Sequence, residues 1–347
     1  MKVLITGSDG YIGAVMVQTL QAAGHEVVGM DTFFFSDYRV ETKKNGLHNI
    51  QKDVRDFVPE DFEGFDALIH LAALSNDPMG ELNPELTFEI NHKASLHIAS
   101  QAKEAGVQRF LFASTCSVYG VANQEELATE NAPLRPLTPY AISKVRVEED
   151  LSKLADDTFS PVFMRNATAY GWSPRFRSDL VLNNLACWAY TTGEIRILSD
   201  GTPWRPIVHV QDIASAFLAA LSAPQEIIHN QAFNVGRLNE NYQVRDLAAI
   251  VQEFFPGSKV TYADHGAPDP RSYRVDFSKI AHSLPTFKPV WNARLGVEEL
   301  RLEYQKTGLT QDDFTGPKYV RLAHLKSLLQ TGLLDDNLRW KERVIYI

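Results

Sequence analysis

The chain has 347 residues, with 34 Lys and Arg against 43 Asp and Glu, two cysteines and a formal net charge of −9 at pH 7. Its length points to two domains, or to one large α/β unit with a smaller attachment, because single cores stop growing near this size. The acid surplus argues against the broad Lys/Arg footprint of a nucleic-acid binder. Two cysteines cannot build a disulfide framework, and no C-x-x-C pair offers a zinc site.

Met1-Lys2 leads straight into the apolar run Val3-Leu4-Ile5, and no later apolar stretch reaches spanning length. A soluble, cytoplasmic protein without a membrane partner is expected. Short apolar runs then alternate with helix-like segments: strand 3–5, helix 11–23, strand 26–30, strand 67–71, helix 84–105, strand 109–113 and a strand at 162–164. Runs apolar throughout belong to strands covered on both faces, so the fold class is α/β, a Rossmann-type doubly wound parallel sheet. Beyond Gly171 the texture becomes rich in Pro, Trp and Arg, with a long Pro/Gly/Asp loop at 264–274, while 207–221 and 232–236 again read as strand, helix and strand. The expected division is therefore a nucleotide-binding domain of 1–171 with 206–236, and a smaller, discontinuous α/β substrate domain of 172–205 with 237–347.

The first strand runs into Thr6-Gly7-Ser8-Asp9-Gly10-Tyr11-Ile12-Gly13. Glycines at 7, 10 and 13 let backbone approach a pyrophosphate, and the following helix offers it unpaired N–H groups. Spaced glycines alone are often only turn formers. Here they lie between strand and helix, with Asp31 closing the second strand, where a carboxylate accepts ribose hydroxyls and repels a 2′-phosphate, favouring NAD over NADP. Asp53 could accept from an adenine amino group, and the small Ala72 and Ala73 at a strand end leave room for a flat cofactor.

Thr138-Pro139-Tyr140-Ala141-Ile142-Ser143-Lys144 starts a helix, with Thr138 as N-cap and Pro139 at the first helical position. Tyr140 and Lys144 then share one face. A phenol with pKa near ~10 is a weak base at neutral pH, and a neighbouring ammonium favours phenolate. Ser114-Thr115-Cys116-Ser117-Val118-Tyr119-Gly120 directly follows a strand, so a hydroxyl there can meet the same substrate oxygen as Tyr140.

Taken in order, the glycine pattern, Asp31, Asp53, His70-Leu71-Ala72-Ala73, residues 114–120, Tyr140-x-x-x-Lys144 and Trp204-Arg205-Pro206-Ile207-Val208-His209-Val210-x-Asp212 resemble extended short-chain dehydrogenases/reductases. More narrowly, they resemble the NAD-dependent nucleotide-sugar epimerase/dehydratase family, over residues 1 to about 300. The resemblance implies that Tyr140 is the catalytic base, that Lys144 binds the nicotinamide ribose and lowers the tyrosine pKa, and that Thr115 is the hydroxyl partner. It implies NAD contacts from Gly7, Gly10, Tyr11, Ile12, Gly13, Asp31, Asp53, Val54, Leu71, Ala72, Ala73 and Ser114, besides Tyr140 and Lys144. Asn91 matches a helix asparagine that is usually structural. Arg205 matches an arginine on the sugar-nucleotide diphosphate, a role suited to a guanidinium fork. Arg175, Arg177, Arg271 and Arg274 are further candidates, Arg271 first among them, beside Thr115 and Thr168 on the substrate side. A homodimer through the helices carrying 84–105 and 138–156 is implied as well.

Two departures bear on substrate identity. Thr168 stands where many relatives carry Asn, and the usual Arg-Pro-Gly is missing from His265-Gly266-Ala267-Pro268. A third bears on the reaction: 4,6-dehydratases of the family place Asp-Glu after the threonine, where this chain has Cys116 and Ser117. Without those acids the expected outcome is epimerisation of a nucleotide-diphosphate sugar through oxidation at C4 and return of hydride to the other face. Alternatives are net oxidation at C4, an epimerase-reductase using Cys116 for proton transfer, and, from another class, a non-catalytic NAD-binding redox-sensing or assembly protein. Cys116 has a second reading as a small buried residue at a strand end. No metal ligand set is expected.

Overall fold

The computed structural model describes residues 1–36, 48–121, 126–262 and 271–342. Its strands, in chain order, are β1 (Lys2–Thr6), β2 (Glu26–Asp31), β3 (His48–Gln51), β4 (Ala67–His70), β5 (Arg109–Thr115), β6 (Ser160–Asn166), β7 (Thr168–Tyr170), β8 (Glu194–Ile197), β9 (Trp204–His209), β10 (Gln231–Val235), β11 (Asn241–Gln243) and β12 (Lys259–Tyr262). Seven of them form one sheet in the order β10-β6-β5-β4-β1-β2-β3, with every neighbouring pair parallel. The chain starts mid-sheet and winds outward both ways, so the carboxyl ends of β1 and β4 flank the point where the winding reverses. Ligand crevices lie at such points in doubly wound sheets.

Alternation along the strands explains the two main cores. Val3 and Ile5 join one buried cluster with Ile69, Leu111 and Val162, whereas Leu4 joins another with Val28, Leu68, Phe110 and Phe163. Successive side chains point to opposite faces, and helices cover both. A third cluster, from Tyr170 and Trp172 to Phe314 and Tyr319, forms the smaller unit, beside the sheet β11-β9-β7 and the pair β12-β8.

Several expectations change here. Residues 207–209 leave the large sheet, because β9 pairs with β7 and β11. Residues 237–347 do not stay together: Tyr273, Val275, Phe277 and Ile280 pack on one face of the large sheet and Leu325, Leu328, Leu334 and Leu338 on the other. These are scattered apolar residues that find a core through burial, a choice that local periodicity does not encode. The helix expected over 84–105 is broken into Pro84–Phe88 and Ala94–Glu104 by a π-helical turn at Glu89–Lys93. Such turns re-aim side chains and recur at functional sites, and this one carries the buried Asn91. No helix among the described residues is long and apolar enough to cross a membrane.

Candidate active site

β1 ends against a turn that only glycine can form. Gly7 has φ +73°, and a Cβ there would meet the Ala72 backbone nitrogen at 2.8 Å. At Gly13 a Cβ would lie 2.1 Å from the Gly7 carbonyl oxygen, far inside contact distance, so the helix Tyr11–Ala22 can approach the turn only without side chains. Gly10 caps that helix and supplies no side-chain hydrogen bond, which leaves first-turn N–H groups available to an anion. At the end of β2, Asp31 accepts from the Asp9 and Phe33 amides at 3.0 and 2.9 Å. Burial and the nearby Asp9 carboxylate push its carboxyl up to about 6.

These residues open onto a cavity of about 520 Å³, walled also by Ile12, Val54, Leu71, Ala72 and Ala73. Asp53 lines it too, but its carboxylate is held by Arg55 at 2.8 and 2.6 Å. Although burial opposes it, Arg55 holds this carboxyl below the usual range. Tyr11 lines the cavity while its phenol donates to the Gly171 carbonyl at 2.7 Å, tying the glycine turn to the smaller unit.

On the opposite wall, Thr138 caps the helix Pro139–Leu154 by accepting from the Ala141 amide at 3.2 Å; such a cap contributes about 1 kcal/mol. The cap fixes Tyr140 and Lys144 at the cavity, where Thr115 joins them. The Thr115 hydroxyl lies near enough to the Tyr140 phenol to favour its ionised form and accepts from the Ser117 amide at 3.1 Å. Burial and the charge of Asp77 push the phenol above its ordinary range, while Thr115 and Arg177 act the other way. Lys144 stands beside Tyr140, with its Nζ 5.8 Å from the tyrosine ring centroid. Its Nζ donates to the Ala113 carbonyl at 2.7 Å and lies 4.5 Å from the Phe112 ring centroid, and burial pulls its own pKa down to about 7. Behind it, His70 is buried between Thr6 and Ser95 hydroxyls at 2.6 and 2.8 Å, and burial together with the Lys144 charge pulls its ring down to about 3. Asn91 holds the Leu74 amide and carbonyl at 2.8 and 3.1 Å and reaches Ser143 on the Tyr140 helix at 3.3 Å, a positioning role.

Three sequence candidates, Cys116, Arg175 and Arg274, fall outside the cavity wall. Cys116, expected as a possible proton-transfer group, is fully buried. Its thiol points at the Arg165 carbonyl at 3.1 Å, and burial pushes its pKa far up. A thiol in such a setting is inert, because the short helical turn Cys116–Tyr119 turns its side chain into the core. Arg175, expected at the substrate, is buried against the Asp9 carboxylate and the carbonyls of Phe35 and Ser36. It fixes the glycine turn from behind. Ser114 does line the cavity, but its hydroxyl donates to Glu148, which pairs with Arg165 at 2.6 Å in the core.

Thr168, Arg177, Arg205 and Arg271, the residues expected on the substrate side, line the cavity. Arg177 is paired with Asp179 through two bonds of 2.9 Å, Arg271 is paired with Asp77, and Arg205 donates to the Trp204 and Arg271 carbonyls. Arg274 lies over the Trp204 ring at 4.9 Å. His265-Gly266-Ala267-Pro268 lie outside the described residues. Sequence reasoning missed Asp77, Ser117, Asn166, Tyr273 and Arg321, all at the cavity. Ser117 and Tyr273 adjoin residues already singled out, and their hydroxyls meet at 3.3 Å. Asp77 and Arg321 stand in no motif.

The family model described as "NAD dependent epimerase/dehydratase family" matches residues 3–236. An uncharacterized UDP-glucose epimerase, YtcB, of Bacillus subtilis (strain 168) is 28% identical over 86% of this chain and 96% of its own length. A UDP-glucose 4-epimerase of the same organism is 26% identical over 86% and 94%. Among solved structures, MoeE5 in complex with UDP-glucuronic acid and NAD superimposes with a TM-score of 0.76 at 26% identity, covering 89% of this chain and all of that one.

Proposed function

Because the chain belongs to the NAD-dependent epimerase/dehydratase family, we propose that it is a nucleotide-sugar epimerase that oxidises its sugar at C4 and reduces it again on the other face. The residues present fit NAD. The turn at Gly7 and Gly13 has space only for backbone, and Asp31 stands at the end of β2 with no basic side chain among its described hydrogen-bond partners, as a 2′-hydroxyl rather than a 2′-phosphate requires. Gly7, Gly10, Ile12 and Gly13 would hold the pyrophosphate, Asp31 the adenosine ribose, Asp53 and Val54 the adenine, Ala72 and Ala73 the flat face, and Lys144 the second ribose. When bound, NAD supplies a hydride acceptor and donor and a positive ring beside Tyr140.

Tyr140 takes the proton of the C4 hydroxyl and later returns one, with Thr115 hydrogen-bonded to the same oxygen. Burial favours the neutral phenol, so to act as base Tyr140 needs the neighbouring Lys144 ammonium and the positive ring of bound NAD to favour phenolate before it takes the proton. The diphosphate meets Arg205 and Arg271, whose forks suit it. The observation that carries the choice of reaction is at 116 and 117: a core-facing thiol and a serine hydroxyl stand where elimination of water would need an acid and a base. Asp77 is a carboxylate at the cavity, but Thr138 and Arg271 engage it.

A related UDP-glucuronic acid decarboxylase of Arabidopsis thaliana, 26% identical, belongs to the same range of chemistry. Decarboxylation needs a substrate carboxylate, and a panel of UDP-, GDP-, CDP- and dTDP-sugars including uronic acids therefore tests the proposal. A new C4 epimer without net change in nicotinamide absorbance supports it. Stoichiometric NADH, release of carbon dioxide or loss of water would replace it. The dimer through the helices at 84–105 and 138–156 belongs to the same proposal, with analytical ultracentrifugation as its test.

A further inference from the structure

Beyond residue 300 the family resemblance fades, yet the tail returns to the cavity. Val320, Arg321 and Leu322 line it at the start of the helix Arg321–Gln330. The tail is clasped to the loop after β2 and to the turn after β3. His324 bonds the Phe34 carbonyl at 2.6 Å, the Trp340 indole donates to the Thr32 carbonyl at 2.7 Å, Arg55 donates to the Asn337 carbonyl at 2.8 Å, and Arg339 pairs with Asp56 at 2.5 Å. Leu325, Leu328, Leu334 and Leu338 anchor it in the core beside Leu4 and Val28.

Arg321 is 5% exposed, stacks over the Phe35 ring at 4.3 Å, and donates from Nη2 to the Arg175 carbonyl at 3.0 Å. It belongs to a cluster of three guanidinium groups, of which Arg177 and Arg321 line the cavity while Arg175 stands behind the glycine turn. Arg175 is matched by Asp9 and Arg177 by Asp179, whereas Arg321 has no carboxylate in ion-pair range among the described residues. Burying a cation without a directly paired counter-ion is costly; Arg177 and Arg175 repel it, Asp179 and Asp9 attract it from beyond ion-pair range, and burial outweighs them. The Arg321 guanidinium borders the cavity, where an anion would recover that cost. Asp9, partner of Arg175, lies inside the turn Gly7–Gly10 that leads into the uncapped first turn of the helix Tyr11–Ala22, and Phe35 is four residues past Asp31.

We propose that Arg321 is a cofactor-binding residue: its guanidinium neutralises the dinucleotide pyrophosphate from the side opposite the glycine turn, and the C-terminal segment 320–340 is the wall that holds it there. The inference rests on the reading of this cavity as the NAD site but not on the choice of epimerisation.

Isothermal titration of the full-length protein, freed of bound nucleotide, with NAD, ADP-ribose and adenosine tests it without any sugar. Arg321→Met is expected to weaken NAD and ADP-ribose about tenfold or more, as for loss of a hydrogen-bonded charge, and to leave adenosine unchanged, since adenosine has no pyrophosphate. Arg321→Lys, which keeps the charge but not the fork, should fall between. Unchanged ADP-ribose binding in Arg321→Met, or an equal loss for adenosine, overturns the proposal. Absence of ADP-ribose binding in the unmutated protein overturns it together with the cofactor reading of the cavity.

Discussion

The two walls of the cavity work by opposite means. The glycine wall is shaped by atoms it lacks: Gly7 and Gly13 leave space that a single Cβ would fill, and the helix behind them starts without a side-chain cap. The Tyr140 wall acts through side chains whose proton affinities burial has moved, the phenol upward and the Lys144 ammonium down to about 7. A wall made of space fails by steric overlap and takes cofactor affinity with it. A wall made of shifted protons fails in turnover while binding survives. That difference can be broken or sharpened by substitution.

The largest effect is expected at Tyr140. Tyr140→Phe should lower kcat by about 10²–10⁴, the usual contribution of a positioned proton-transfer group, with bound NAD unchanged by nucleotide analysis. Equal turnover would remove Tyr140 from the mechanism. Gly13→Ala should act on the other wall. Its Cβ would lie 2.1 Å from the Gly7 carbonyl and 2.8 Å from the Ser8 Cα, both backbone, so about 1–3 kcal/mol of overpacking is expected. The signature is loss of NAD on gel filtration and a lower Tm, and retained NAD would contradict the steric account.

Smaller effects separate the walls by pH. Burial keeps His70, behind Lys144, neutral down to about 3, whereas the unfolded ring titrates near ~6.5. The unfolded chain therefore binds the extra proton first, and stability falls as pH drops from about 6.5 toward 3. Asp31 has the reverse sign. Its folded carboxyl, up at about 6, takes a proton before the unfolded one near ~3.9, so stability is gained as pH falls through that window. Urea unfolding between pH 7.5 and 4.5 should find the acid limb flatter in His70→Asn and steeper in Asp31→Asn. A common direction of change would refute the opposed signs. The smallest effect belongs to Cys116→Ala: turnover within about twofold and stability lower by about 1 kcal/mol. A large loss of kcat with an unchanged fold would return the thiol to the chemistry.

How much of this was legible in the sequence follows the same division. The glycine turn, Asp31 and the helix start at Thr138 are local, since turn, strand end and cap are each decided within a few residues. They stand where the spacing put them. Direction of a side chain is not local. Cys116 and Ser117 are neighbours in one short turn, and only the observed turn shows that the thiol enters the core while the serine faces the cavity. Arg175 could be read as a cation near the substrate but not as the partner of Asp9, 166 residues away. Asp77 and Arg321 were invisible for the same reason: one sits at a helix start without a motif, the other on a tail whose return to the cavity depends on scattered leucines.

The central claim is that oxidation and reduction occur on the same sugar within one active-site visit. UDP-sugars deuterated at C4, including glucose, N-acetylglucosamine and glucuronic acid forms, can be incubated with the purified protein and followed by NMR together with nicotinamide absorbance. The account predicts a C4 epimer that keeps its deuterium, with no NADH accumulating. Deuterium appearing in released NADH, or a deoxy or decarboxylated product in place of the epimer, would contradict it.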